Sequence, residues 1–210
     1  MKKILLLSDT HSHIDDTILK YVQQADEVWH AGDIGDLKVT DTLKKLKPLR
    51  AVYGNIDDAQ ARLEFPLNNR FMCEDVSVWI THIGGYPGKY NPNIKAEMTA
   101  NPPKLFICGH SHILKVMFDK KNNLLHMNPG AAGISGVHIG PGATAFTLIP
   151  FSARDNASDL VNATNYLSAR LQGRTGGQAR GEILAELANR KAELDRIATT
   201  LGLKLAQGLD

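Results

Sequence analysis

Seven side chains able to bind a divalent cation recur in short, mostly glycine-marked motifs along the chain. They are Asp9 and His11 in D-T-H, Asp33 in G-D, Asn55 in G-N-x-D, His82 in T-H, and His110 and His112 in G-H-S-H. Carboxylate, amide and imidazole ligands without thiolate suit Mn, Fe, Ni or Zn in a reactive site better than a structural Cys-rich zinc site. Seven such groups exceed the needs of one tetrahedral ion. If Asp33 bridges, they divide into two sites, a count that suits a two-metal centre roughly 3.5–4 Å across. Each motif also has a plainer reading, since Gly-Asp is a common turn and a G-H-x-H pair can be two polar turn residues.

The elements that must position these groups follow from hydrophobic patterning. The continuous apolar run at residues 4–7 reads as a strand buried on both faces, delivering Asp9 and His11 to the loop beyond its end. Ligands of open α/β sheets bind at that carboxyl edge. Residues 15–25 then read as a helix, 27–30 as a strand ending in Ala31-Gly32-Asp33, and 37–46 as an amphipathic helix stopped by Pro48. A third strand, 49–53, ends in Gly54-Asn55-Ile56-Asp57. Three strand-then-helix units argue for parallel strands. Strand 76–80 exits at Thr81-His82 into a glycine-rich loop, Gly84 to Gly88, which can approach a ligand closely or be an ordinary turn. A short helix at 94–100 precedes the strand 105–108 that carries G-H-S-H, and 115–118 with 124–127 reads as a hairpin. One more strand is expected at 144–149. The expected fold is α/β, a sandwich of two sheets covered by helices.

Composition sets the outer bounds. With 210 residues, 43% hydrophobic and 22% charged, the chain can bury one sizeable domain plus an appendage. A net charge of +2 offers no strong field for nucleic acid or an anionic membrane. Only two cysteines occur, Cys73 and Cys108, neither in C-x-x-C, which suits a reducing compartment. The apolar run after Lys2 and Lys3 stops at Ser8, too short for a signal peptide, and no stretch approaches a membrane span, so a cytoplasmic location is expected.

Taken in order, D-T-H, G-D, G-N-x-D, T-H and G-H-S-H resemble the calcineurin-like metallophosphoesterases, specifically their small bacterial and archaeal phosphodiesterase branch. The resemblance covers residues 1 to about 138, and Asn128-Pro129-Gly130 matches the same branch. It implies an αββα sandwich and hydrolysis of a small phosphoester by a hydroxide bridging two divalent cations, manganese first among them, with nickel, iron and zinc as the other candidates. On the family pattern, Asp9, His11, Asp33 and His112 hold one ion, and Asp33, Asn55, His82 and His110 the other. Asn55 coordinates without adding negative charge that would repel phosphate. Asn55, His82, Asp57 and His13 are the residues expected to serve the reaction itself, Asp57 by orienting a neighbouring ligand or loop.

One departure stands out. The residue after Gly54-Asn55 is Ile56, where many relatives carry a histidine that protonates the leaving oxygen and this branch often carries cysteine. General acid catalysis contributes about 10²–10⁴-fold, so its loss favours esters with acidic leaving groups. His13 is the substitute candidate, against the plainer view of a solvated loop histidine. The departure also admits a catalytically idle scaffold of the same fold, like the phosphoesterase-like subunit of the retromer coat. Against it stands a complete ligand set. His30 and His126 read as satisfied core or near-site histidines and not as ligands, Trp29 and Trp79 read as core aromatics, and His138 has no assigned role.

Beyond about residue 140 the chain changes character. Three arginines and thirteen lysines precede that point, whereas six arginines and two lysines follow it. A domain over 1–150 and a helical extension over 151–210 are therefore expected. Residues 160–171 have helical spacing, 173–177 read as a flexible linker, and 182–201 as an amphipathic helix. The apolar stripe of that helix needs a partner: the parent domain, a second copy, or another protein.

Overall fold

Alternation along the first strand, β1 (Lys2–Leu7), divides the interior into two cores. Ile4 and Leu6 face one way and Leu5 and Leu7 the other, all four fully buried, because successive strand side chains point to opposite faces. The computed structural model of the chain describes residues 2–133 and the backbone of 147–151.

Helix α1 (Asp16–Gln24) starts where the carboxylate of Asp15 accepts the Ile18 amide at 2.8 Å, satisfying one of the free donors of the first turn. It buries Ile18 and Val22 against Leu5 and Leu7. Strand β2 (Glu27–His30) pairs parallel with β1. Helix α2 (Lys38–Leu46) lays Val39 and Leu43 on the same face as α1, and β3 (Leu49–Ala51) pairs parallel with β2. These units match the sequence reading, with β3 two residues shorter than expected. A short helix, α3 (Ala59–Glu64), capped by Asp58, was not legible in the sequence.

The second sheet begins with β4 (Asn68–Cys73), also unforeseen, antiparallel to β5 (Val76–Thr81). The glycine-rich segment behind β5 is a small hairpin, β6 (Gly85–Tyr86) with β7 (Lys89–Tyr90), instead of a plain loop. Helix α4 (Pro92–Ala100) follows, with Pro92 in its first turn and Asn91 as cap. It seats Ile94 and Met98 against Trp79 and Phe106. Strand β8 (Leu105–Ile107) lies parallel between β5 and β10 (Leu124–Asn128), and β9 (Lys115–Asp119) closes the edge as the expected hairpin. Strand β11 (Thr147–Phe151) returns to pair antiparallel with β1.

The sheets are therefore ordered β11-β1-β2-β3 and β4-β5-β8-β10-β9. Ile4, Leu6 and Trp29 from the first meet Val78, Ile80 and Ile107 from the second in the core between them. Helices α1 and α2 cover one outer face and α4 the other, the αββα order expected from the motifs. Cys73 and Cys108 are buried and unbridged, and Trp29 and Trp79 are core aromatics. Among the described residues no helix is long and apolar enough to cross a membrane. The expected segments at 160–171, 173–177 and 182–201, and His138, lie outside the described residues.

Candidate metal centre

Strands β1, β2, β5 and β8 all release their chain ends at one edge of the sandwich. The loop after β1 runs beside the loop after β2, bound by Asp9 N–H to Gly32 O at 2.9 Å, His11 N–H to Asp33 O at 3.1 Å and Ser12 N–H to Ile34 O at 2.8 Å. From the other sheet, Gly109 N–H donates to His82 O at 3.0 Å, and His110 N–H to the Asp9 carboxylate at 3.1 Å. The two sheets are thus joined at the site itself. Gly109 permits this approach, since a Cβ there would fall 1.9 Å from Ser8 Oγ and 2.8 Å from Asp9 Oδ2.

Two groups of three ligating side chains result, Asp9 with His11 and His112, and Asp33 with His82 and His110. Within each group the ligand atoms lie within 4.8 Å of one another. The groups adjoin: His82 Nε2 is 3.2 Å from Asp33 Oδ1 and 4.0 Å from Asp9 Oδ1. His112 Nε2 lies 3.3 Å from both Asp9 Oδ1 and His11 Nε2. Asn55 joins the second group, its Oδ1 3.1 Å from His82 Nε2. All seven strand-exit groups of the sequence reading meet at this edge.

The backbone here is strained. Asp9, His11, Asp33, His110 and His112 all have φ between 47° and 68°. That left-handed region costs an ordinary L-residue on the order of 1–2 kcal/mol, and such strain persists only where the surroundings over-determine it. Spending it at five ligand positions on three strand exits, those of β1, β2 and β8, directs the side chains inward together.

The donor set fits a cation. His82 Nδ1–H donates to Ala31 O at 2.8 Å, so in the neutral ring Nε2 presents a lone pair to the site. That lone pair, the Asp33 carboxylate and Asn55 Oδ1 are acceptors converging on one another, an arrangement satisfied by a bound cation or by a proton on Nε2. Burial disfavours the charged ring, but the Asp33 hydrogen bond and the charges of Asp9 and Asp33 outweigh it and raise the His82 pKa. Burial likewise opposes ionisation of Asp33. The hydrogen bond and charge of His82, with the Ile56 N–H at 3.1 Å, bring it below the usual carboxylate range. Asp9 is pushed up, chiefly by burial, against the opposing pull of His82, Ser8 and His112.

His13 and Asp57 stand apart from this convergence. His13 Nε2 lies 3.4 Å from Asp15 Oδ2, at the start of α1. Asp57 accepts the Gly35 amide at 2.9 Å and the Gly54 amide at 2.7 Å, clamping the loops that carry Asp33 and Asn55. Three further groups position the ligand loops: His30, whose sequence reading was a core or near-site histidine, Thr10, and Asn128 of the Asn128-Pro129-Gly130 turn, none of which was assigned this role from the sequence. Gly32 N–H donates to His30 Nδ1 at 3.2 Å, so His30 Nε2–H faces Thr10 Oγ1 at 2.9 Å, and Thr10 donates to Ile34 O at 3.0 Å. This relay binds D-T-H to G-D, and its only sequence signal is a histidine closing an apolar strand. Asn128 donates to Gly109 O at 2.7 Å and Ser111 Oγ at 3.1 Å, holding the G-H-S-H loop.

Comparison with known proteins agrees with this geometry. A probable metallophosphoesterase of Methanocaldococcus jannaschii is 25% identical over 133 residues, 60% of this chain and 66% of that protein. A heat-inducible transcription repressor of Afipia carboxidovorans is 46% identical over 41 residues, 20% of this chain and 11% of the repressor. The chain thus spans about a tenth and just under two thirds of these two curated relatives. Among solved structures, zinc-complexed Vps29 of Entamoeba histolytica superposes with a TM-score of 0.59 at 16% identity, over 73% of this chain and 88% of that one. A novel archaeal phosphodiesterase does so with a TM-score of 0.51 at 20% identity, over 70% and 93%. Both are likenesses of fold. The profile of the calcineurin-like phosphoesterase superfamily domain matches residues 1–148, and the chain belongs to that superfamily.

Proposed function

We propose that this chain is a metal-dependent phosphodiesterase acting on a small organic phosphoester. The observation that carries the reading is the pair of adjoining three-ligand groups at one sheet edge. Asp9, His11 and His112 would hold one divalent cation, and Asp33, His82 and His110, with Asn55, a second; manganese leads the candidates, with nickel, iron and zinc behind it. Such cations lower the pKa of bound water and neutralise charge on phosphoryl oxygens. The protein's own part is to hold the ligands fixed. Ala31 O sets the His82 tautomer, Ser8 Oγ–H at 2.5 Å and the His110 amide orient Asp9, and Asp57 clamps the two flanking loops. The exposed Ile56 supplies no acid, so esters with acidic leaving groups should turn over fastest.

The deciding experiment supplies Mn, Ni, Fe or Zn to purified protein with bis(p-nitrophenyl) phosphate, p-nitrophenyl phosphate or cyclic nucleotides, using Asp33→Ala and His110→Ala as controls. Metal-dependent diester turnover lost in both variants is the expected result; no turnover with any metal defeats the proposal. His13→Ala should slow esters with poor leaving groups more than activated ones if His13 donates the proton, and equal losses would remove it from that role. A scaffold reading has specific support in Ile56 and in the Vps29 neighbours. It would be favoured by an inert protein that still binds metal.

A further inference from the structure

Beside the ligand cluster lies a pocket of about 370 Å³, bounded by the β6–β7 hairpin, the G-H-S-H loop and the start of β9. This is the small end of the range for ligand sites, room for one compact organic group and too little for a polymer. Its walls are chiefly apolar and aromatic, with Ile83, Tyr86, Tyr90 and Ile113 among them, and His110 belongs both to this lining and to the second ligand group. Ile83, Tyr86 and Ile113 are 39%, 39% and 58% exposed, an unusual concentration of open apolar surface at one mouth.

The walls are held in place. Tyr90 donates its hydroxyl to Asp119 at 2.7 Å and packs edge-on against Phe106 at 5.8 Å. Into this setting Lys115 brings a cation, its Nζ 4.1 Å from the centre of the Tyr86 ring. No carboxylate among the described residues forms an ion pair with it. Ring contact keeps the ammonium beside the pocket but does not neutralise it. Its charge is felt at the pocket floor, where it helps to lower the pKa of the buried His126.

We infer that this pocket receives the alcohol arm of the phosphoester, and that the preferred arm is a flat apolar group bearing an anionic substituent that pairs with Lys115. The inference rests on the phosphoesterase reading for the position of the phosphoryl group. A polar, bulky or cationic arm would meet apolar walls and a like charge. The pairing discriminates between esters and adds nothing to the chemistry at phosphorus.

Binding of two non-hydrolysable probes, phenylphosphonate and 4-phosphonobenzoate, to manganese-loaded full-length protein separates this claim from the activity itself. Calorimetry should show 4-phosphonobenzoate binding about tenfold more tightly, the effect of one well-placed charge pair of about 1.4 kcal/mol. Lys115→Met should erase that difference while leaving phenylphosphonate affinity within about twofold, and Lys115→Arg should keep most of it. Equal affinities for the two probes in the unaltered protein, or an equal loss of both in Lys115→Met, overturns the inference, as does failure of both probes to bind. Diester turnover measured on the same preparations isolates the two claims: turnover without discrimination sinks the pocket assignment alone, and discrimination without turnover sinks the hydrolase alone.

Discussion

Two buried histidines show how residue environment becomes pH dependence. His30 and His126 are each held at a pKa of about 4, chiefly because burial disfavours the charged ring. An unfolded histidine titrates near 6.5, so between about pH 4 and 6.5 the unfolded chain binds more protons than the folded one, and stability rises with pH. The contribution is complete above pH 6.5 and is lost as pH falls toward 4. We expect the unfolding free energy of metal-free protein, followed by denaturant titration, to drop by several kcal/mol across that window, on the order of 3 kcal/mol per histidine. A flat profile would show that these rings gain solvent in the native state. The junction between the sheets gives a second residue-scale outcome. Gly109→Ala places a methyl against Ser8 Oγ, Asp9 Oδ2 and Ala31 O. It should cost about 1–3 kcal/mol of stability by overpacking and weaken metal binding as well, read by thermal unfolding with and without manganese. Neither effect is visible in a G-H-S-H string, because the contact is with the loop after β1, about a hundred residues earlier.

At the scale of elements, short-range patterning was dependable where strands are buried on both faces. Strands β1 and β8 and helices α1 and α2 were read correctly because continuous apolar runs and a 3.6-residue stripe are local properties. Strand β4 escaped because it is an exposed edge strand, Asn-Asn-Arg-Phe-Met-Cys, in which only Cys73 is fully buried. Its pairing with β5, not its own composition, makes it a strand. The β6–β7 hairpin escaped for a related reason, being two residues on each side and tied down by neighbours. Asp119 is one such tie. It accepts the Lys121 amide at 2.9 Å, the Asn122 amide at 3.2 Å, the Asn122 side chain and the Tyr90 hydroxyl at 2.7 Å each, so one carboxylate closes the β9–β10 turn and fixes the pocket wall. Asp119→Ala should cost about 2–3 kcal/mol, and hydrogen exchange should accelerate in the β9–β10 turn and at Tyr90 while β1 and β2 are unchanged. Uniform acceleration across both sheets would mean that the turn is not an independent unit.

For the molecule as a whole, the ligand cluster draws on both sheets, so occupancy and folding are linked. A cation bound only by the native state at a hundred times its dissociation constant adds about 2.7 kcal/mol. Manganese should raise the melting temperature in proportion to the logarithm of its concentration, and Asp33→Ala should abolish the rise. A rise that survives this substitution would place the ion elsewhere. The sequence alone determined which residue types can ligate, the order of the motifs and that each follows an apolar strand, since all of these are local in the chain. Only the tertiary structure decided that the seven groups converge, that they part into two adjoining sets, that five of them sit in the left-handed backbone region, and that His30 braces the D-T-H and G-D loops. The physical reason is sheet order. Placing Asp9 beside His110 requires β1 and β8 to lie in facing sheets with their ends level, and that depends on the whole pattern of strand pairing and packing, which no single stretch of residues encodes.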